Sequence, residues 1–228
     1  MTRVALISGA NRGIGAAAAQ ALAAEGWTLS LGIRSGAAPD WAAGAHAFPY
    51  DAMAGNEAAW VAAATEALGR VDAVVANAGL LIAKSVIEAE DADLDAMLEV
   101  NVKSPRRLAQ AAWPMLRASG AGRVVIVGSL SGKRVASSTT ALYSMTKFAA
   151  VALAHALRRE GWEDGIRATA VCPGLVDTDM ARGAFGDAGG EAMTPPEEVA
   201  RLIALALGLP NAASVAELHV NCRNGELY

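Results

Sequence analysis

Tyr143 and Lys147, in the stretch ALYSMTK (141–147), stand four residues apart with small or flexible side chains between them. On a helix that spacing puts a phenol and an ammonium on one face. A cation beside a phenol favours phenolate, lowering the tyrosine pKa from about 10 toward working pH. A tyrosine tuned in this way passes a proton to a carbonyl oxygen or takes one from an alcohol. Alone, such a pair is more often a plain surface contact, so its meaning depends on what else reaches that face.

A second chemical feature lies near the start of the chain. The loop SGANRGIG (8–15) places Gly9, Gly13 and Gly15 around Asn11, Arg12 and Ile14, just ahead of the helical run AAAAQALAAEG. Glycine permits a tight turn and close approach of a phosphate to backbone N–H groups. The following helix would offer the positive end of its dipole to a pyrophosphate. The spacing G-x-x-x-G-x-G differs from the commoner G-x-G-x-x-G dinucleotide fingerprint. A βα turn with glycines kept for packing is the plain alternative.

The elements that must position these groups are short apolar runs alternating with helical patterns. Strand-like runs cover 3–8, 28–33, 45–50, 72–77, 123–129, 167–172 and 216–221. Most are apolar throughout, as strands covered on both faces are. Helical patterns lie near 13–25, 56–68, 91–118, 142–161 and 195–207. The alternation predicts an α/β fold, a single Rossmann-type doubly wound parallel sheet of about seven strands with helices on both faces. Ligands of such sheets bind beyond the carboxyl ends of the strands. The Gly-rich stretch 182–196 reads as a mobile loop at one of those ends.

Composition narrows the function classes. The chain has 228 residues, 54% of them apolar, and a net charge of −4. No basic block supports a nucleic-acid partner. No apolar run reaches the roughly 18 residues of a membrane span. Two cysteines, Cys172 and Cys222, make no disulfide scaffold and lack metal-ligand spacing, so no metal is expected. The N-terminus reads as a strand and not as a signal peptide, and a reducing cytoplasmic location is the default. GSLSG (128–132) has Leu130 where a hydrolase elbow needs serine. His46, His155 and His219 are far apart in sequence and fit no metal motif. Cys172 reads as a small core residue.

SGANRGIG, NAG (77–79), Ser129, YSMTK and PG (173–174) occur in the order and spacing of the short-chain dehydrogenase/reductase family, which the chain resembles from about residue 3 to 221. Ser8 stands where threonine is commoner, and the C-terminal stretch SVAELHVNCRNGELY lacks the DGG segment of many relatives. That end looks more like the reductase branch acting on small hydroxy acids and miscellaneous carbonyls than like the fatty-acid-synthesis branch.

The resemblance implies a nicotinamide cofactor along the strand ends. No acid follows strand two, where a carboxylate would repel a 2′-phosphate. Arg34 stands there instead, and Arg12 lies in the glycine loop, so two guanidiniums are placed to clamp a 2′-phosphate and NADP(H) is the expected cofactor. Asp51 resembles the family's acid near the adenine, or simply caps the following helix. Asn77, Ala78 and Gly79 resemble the segment flanking the cofactor. Pro173 and Gly174 turn the chain after strand six, and Val176 and Thr178 resemble the contacts to the nicotinamide carboxamide.

The resemblance also assigns catalysis. Tyr143 is the general acid/base and Lys147 holds the cofactor ribose. Ser129 positions the substrate oxygen. Asn101 holds a water that links Lys147 to solvent. The expected protein is a single dinucleotide-binding oxidoreductase domain over 1–228, with a substrate lid at 178–194. It would act on a small carbonyl or alcohol substrate as a homo-oligomer, tetramer or dimer, paired through the apolar helices that carry Asn101 and Tyr143. Lys133 and Arg134, next to Ser129, would meet an anionic substrate or remain a solvated loop. An NAD-dependent alcohol dehydrogenase, a non-catalytic sensor on the same fold and an alanine-rich structural domain are the rival readings.

Overall fold

The computed structural model describes residues 2–34, 37–185 and 193–223. Seven parallel strands form one sheet: β1 (Val4–Ser8), β2 (Thr28–Ile33), β3 (His46–Pro49), β4 (Ala73–Ala76), β5 (Arg123–Val127), β6 (Arg167–Pro173) and β7 (Glu217–Val220). Their order is β3-β2-β1-β4-β5-β6-β7. The chain reverses its direction of winding between β1 and β4, which opens a crevice at their carboxyl ends.

Alternation along each strand splits the core into two layers. Ala5 and Ile7 of β1 and Val125 and Val127 of β5 face a cluster with Leu22, Ile203 and Leu207. Those last residues come from α1 (Gly13–Ala24) and α7 (Pro196–Gly208). Val4, Leu6, Val124 and Ile126 face the opposite way, onto Trp60, Leu108, Leu116 and Ala154. These lie on α2 (Glu57–Leu68), α4 (Ser104–Ala118) and α5 (Ala141–Glu160). Burial on both faces explains why the strands read as unbroken apolar runs. Gly32 lets α2 close on the sheet, because a Cβ there would stand 2.7 Å from the Trp60 ring.

The helical pattern 91–118 is a continuous run with a defect in it. It comprises α3 (Asp91–Leu98), a π-helical turn (Glu99–Lys103) and α4. Ser104 N–H bonds the carbonyl five residues back, on Glu99. Pro105 has no N–H, so the Asn101 carbonyl is denied its α-helical donor. Such turns recur at functional sites, and Asn101 sits in this one.

The stretch 178–194, read from sequence as a loop, begins as a helix instead. α6 (Asp179–Phe185) follows Thr178, whose Oγ1 accepts the Ala181 N–H at 3.4 Å. Asp179 in its first turn and Arg182 in its last complement the helix dipole. Val176 and Thr194 form a parallel bridge that closes the segment at its base. Residues 186–192 of the expected lid lie outside the described residues.

Among the described residues, no helix is long and apolar enough to cross a membrane.

Candidate active site

The glycine loop has the geometry of a phosphate cradle. Gly9 and Gly13 have φ of +66° and +53°, a region costly for other residues. Gly15 is a matter of space: a Cβ there would lie 2.3 Å from Gly9 O and 2.5 Å from Asn77 Nδ2. The loop is pinned from β4. Ser8 Oγ accepts the N–H groups of Asn77 and Ala78 at 2.9 and 3.0 Å, and Asn77 Nδ2 donates to Ser8 O at 3.0 Å. The hydroxyl is therefore what position 8 needs, and serine supplies it as well as threonine. α1 begins without a side-chain cap and without an acid in its first turn. Its leading N–H groups have no intrahelical acceptors and face a cavity of about 920 Å³.

That cavity runs along the strand ends. All the predicted site residues line it except Gly15 and Asn101, which stand behind its wall. Ser129, Tyr143 and Lys147 meet at one end. Ser129 ends the segment after β5, where its Oγ accepts the Ser131 N–H at 3.0 Å and donates to Pro173 O at 3.4 Å. Lys147 is 4% exposed, and its Nζ donates to Val127 O at 2.8 Å. The same Nζ lies 5.6 Å from the Tyr143 ring centroid.

The titration of this pair corrects the sequence reading. Burial raises the Tyr143 pKa above the ordinary phenol value, and a hydrogen bond with Ser129 only partly opposes it. Burial also pushes the Lys147 ammonium down to about 8. The spacing does bring the two groups to one face, but burial sets the direction of both shifts. In this state the phenol is firmly protonated.

Asn101 is 2% exposed, and both ends of its side-chain amide are hydrogen-bonded. Its Oδ1 accepts the Leu80 N–H at 2.8 Å, and its Nδ2 donates to Leu80 O at 2.8 Å and to Thr146 Oγ1 at 2.9 Å. It thus staples the strand-four loop to α5 between Tyr143 and Lys147. Thr146 and Leu80 were not singled out from sequence. Thr146 lay inside the YSMTK motif, whereas Leu80 contributes through its backbone and leaves no signal in its side chain.

At the other end, the expected arginine clamp is divided. Arg12 NH1 pairs with Asp179 Oδ2 at 3.0 Å, both side chains being more than half exposed. Exposed pairs of this kind contribute about 0–1 kcal/mol, so the contact is easily surrendered. The Arg34 guanidinium is exposed at the cavity and has no partner among the described residues. Asp51 accepts the Met53 N–H at 3.0 Å, which makes it a turn cap within the cavity wall.

Two of the three histidines, distant in sequence, converge in space. His155 and His219 both bond Glu217, at 2.6 and 2.7 Å. Lys133 Nζ adds an ion pair to the same carboxylate at 3.0 Å. Burial would raise the Glu217 pKa, but hydrogen bonds from His155, Lys133 and His219 prevail and hold it at about 2. Ligand atoms of Cys172, Glu217 and His219 lie within 4.8 Å of one another. Both Glu217 oxygens are nevertheless occupied, and burial lifts the Cys172 thiol to about 11. His155, His219 and Lys133 thus converge on Glu217 in a hydrogen-bonded cluster that ties β7 to the Ser129 turn.

The family model described as short chain dehydrogenase matches residues 3–188. An agropine synthesis reductase of Rhizobium rhizogenes is 35% identical over 238 residues, covering 99% of this chain and 54% of that protein. The chain thus spans about half the length of that relative. A short-chain dehydrogenase from Burkholderia cenocepacia, solved in complex with NADP, superposes with a TM-score of 0.87 at 31% identity, covering 96% of each chain. An alcohol dehydrogenase from Thermococcus sibiricus, complexed with 5-hydroxy-NADP, gives 0.86 at 32% identity over 96% of each chain.

Proposed function

The chain belongs to the short-chain dehydrogenase/reductase family of oxidoreductases, and from that membership we propose that it is an NADP(H)-dependent reductase of small carbonyl compounds. The observation that carries this reading is the meeting of Ser129, Tyr143 and Lys147 at one end of a cavity whose other end is a glycine cradle. A cofactor fits these residues: Gly15 leaves room where a side chain would collide, and α1 offers uncapped N–H groups. A nicotinamide bound there would supply a hydride to a carbonyl carbon, or accept one from an alcohol.

The chain's own residues handle the proton. Tyr143, kept as a neutral phenol by burial, would donate its proton to the carbonyl oxygen as negative charge develops. Ser129 Oγ would hold that same oxygen. Lys147 would hold the cofactor ribose and re-protonate the phenol. The Asn101 side chain is committed to Leu80 and Thr146, so its link to a water would run through the main-chain carbonyl that Pro105 leaves without its helical donor. Thr178, α6 and the segment to Thr194 would serve as a lid that excludes water.

Oxidation of NADPH, followed by absorbance against a panel of ketones, aldehydes and oxo acids, tests the reading. Turnover of at least one class is expected. NADPH binding without any turnover would favour a non-catalytic sensor, and no NADPH binding at all would sink both.

Arg34→Ala is expected to weaken NADPH binding roughly tenfold or more, the loss of one charge-assisted hydrogen bond of about 1.5–3 kcal/mol. NADH binding should change little. Fluorescence titration of both cofactors decides the matter, and equal weakening would support the NAD-dependent alternative.

The protein is further proposed to be a homo-oligomer built on α5. Met145, Phe148, Ala152 and Ala156 form an exposed, mostly apolar stripe on that helix. The outward face of α4 is more polar than its sequence suggested, with Arg106, Gln110 and Arg117 exposed. An apolar stripe of this kind marks an interaction surface, and a two-fold axis would bury it against itself. Ala152→Glu should therefore shift the light-scattering mass toward monomer at micromolar concentration. A monomeric parent protein would refute the proposal.

A further inference from the structure

Two neighbouring cations follow the Ser129 turn, and the fold treats them differently. Lys133 is ion-paired with Glu217 across to β7. Arg134 is half-buried, lines the cavity, and has no acidic or carbonyl partner for its guanidinium among the described residues. Its backbone is held in place, since its N–H donates to Leu130 O at 3.2 Å. The backbone of Arg134 thus belongs to the turn that follows Ser129, five residues away in the chain.

The surroundings sharpen the point. Asp51 and Asp179 are the carboxylates among the described cavity-lining residues, and both are engaged, with the Met53 N–H and with Arg12. The cavity wall contributed by the neighbouring stretch of chain and by the segment after β7 includes Leu130, Ser131, Ala136, Ser137 and Asn221, all uncharged. A chain of net charge −4 has therefore left two guanidiniums, Arg34 and Arg134, facing this cavity without an acidic partner among the described residues. Arg34 at the adenosine end is the other cavity guanidinium without a partner among the described residues, and the cofactor phosphate accounts for it. Arg134 instead follows Ser129 in the chain and lines the same cavity as Ser129 and Tyr143.

We propose that Arg134 is the receptor for an anionic group on the substrate, so that the enzyme reduces carbonyl compounds bearing a carboxylate or a phosphate. This rests on the reductase reading and specifies its substrate class. A guanidinium gives a planar anion two parallel hydrogen bonds, and the half-buried position raises its strength over that of a surface arginine. With the anion held there, the carbonyl is steered toward Ser129 and Tyr143.

The experiment compares oxo acids of increasing chain length, their methyl esters and matched oxo-phosphates, each reduced with NADPH. The parent enzyme should favour at least one acid or phosphate over its ester by tenfold or more in kcat/KM. Which of the two is preferred identifies the anion. Arg134→Ala should erase most of that ratio, through KM and not kcat, and Arg134→Lys should recover part of it. Equal use of acids and esters, or a ratio untouched by Arg134→Ala, would overturn the proposal. A calorimetric titration of the same anions into the NADPH complex of Tyr143→Phe separates the two readings. Arg134-dependent anion binding without turnover in the parent would sink the reductase reading and leave the receptor standing. Failure of every anion to bind would remove the receptor alone.

Discussion

Replacing Tyr143 with phenylalanine is expected to abolish nearly all turnover while leaving the fold and NADPH binding intact. The ring is 8% exposed and packs against Met97 and Leu142, and phenylalanine fills the same space. Only the hydroxyl is lost, and with it the proton donor. Loss of a general acid costs about 10²–10⁴ in rate. The fold should tolerate the change because, among the described residues, the hydroxyl bonds only Ser129, whose Oγ keeps its bonds to Pro173 O and Ser131 N. Stopped assays with the best substrate, beside a fluorescence titration of NADPH, check both halves. Residual activity above a tenth of the parent would show that another group carries the proton.

Lys147→Met is expected to cut turnover more than about a hundredfold and, without cofactor, to make the protein more stable at pH 7. The lysine is buried, and its pKa falls from an ordinary 10.5 to about 8. Below pH 8 the ammonium is charged in both folded and unfolded chains, and burying it costs about 3 kcal/mol. Between pH 8 and 10.5 the unfolded chain binds the extra proton, so the parent's stability rises with pH across that window. Methionine escapes the penalty but leaves Val127 O without its donor, which costs about 1–2 kcal/mol. The net gain at pH 7 is then about 1–2 kcal/mol, or a few degrees in melting temperature for a chain of this size. By pH 10.5 the penalty is gone and the variant should be the less stable of the two. Thermal melts of both proteins at pH 7 and 10.5 read this directly. A variant equally destabilised at both pH values would mean that the buried lysine is stabilising.

These two residues also show where sequence reasoning stops. The parallel sheet was legible because strands buried on both faces must be apolar at every position. The glycine loop was legible because only glycine fits at Gly9, Gly13 and Gly15. The meeting of Tyr143 and Lys147 followed from helical spacing alone. The direction of their titration did not. The sequence shows an ammonium near a phenol, a local attraction, while the tertiary structure closes both groups off from water and lets desolvation decide. The same holds for the charges. Arg12 and Asp179 stand 167 residues apart, and nothing in either neighbourhood marks their pairing. His155 and His219 converge on Glu217 only because β7 lies beside β6. The π-turn has a local cause in Pro105, yet its purpose, turning Asn101 toward Leu80 and Thr146, depends on how α5 packs. Sequence by itself determined which residue types lie at the strand ends, since backbone conformation and burial select those types locally. Which of them keep a free charge or a shifted proton was decided only by the fold, because solvation and pairing depend on neighbours that the chain brings from far away.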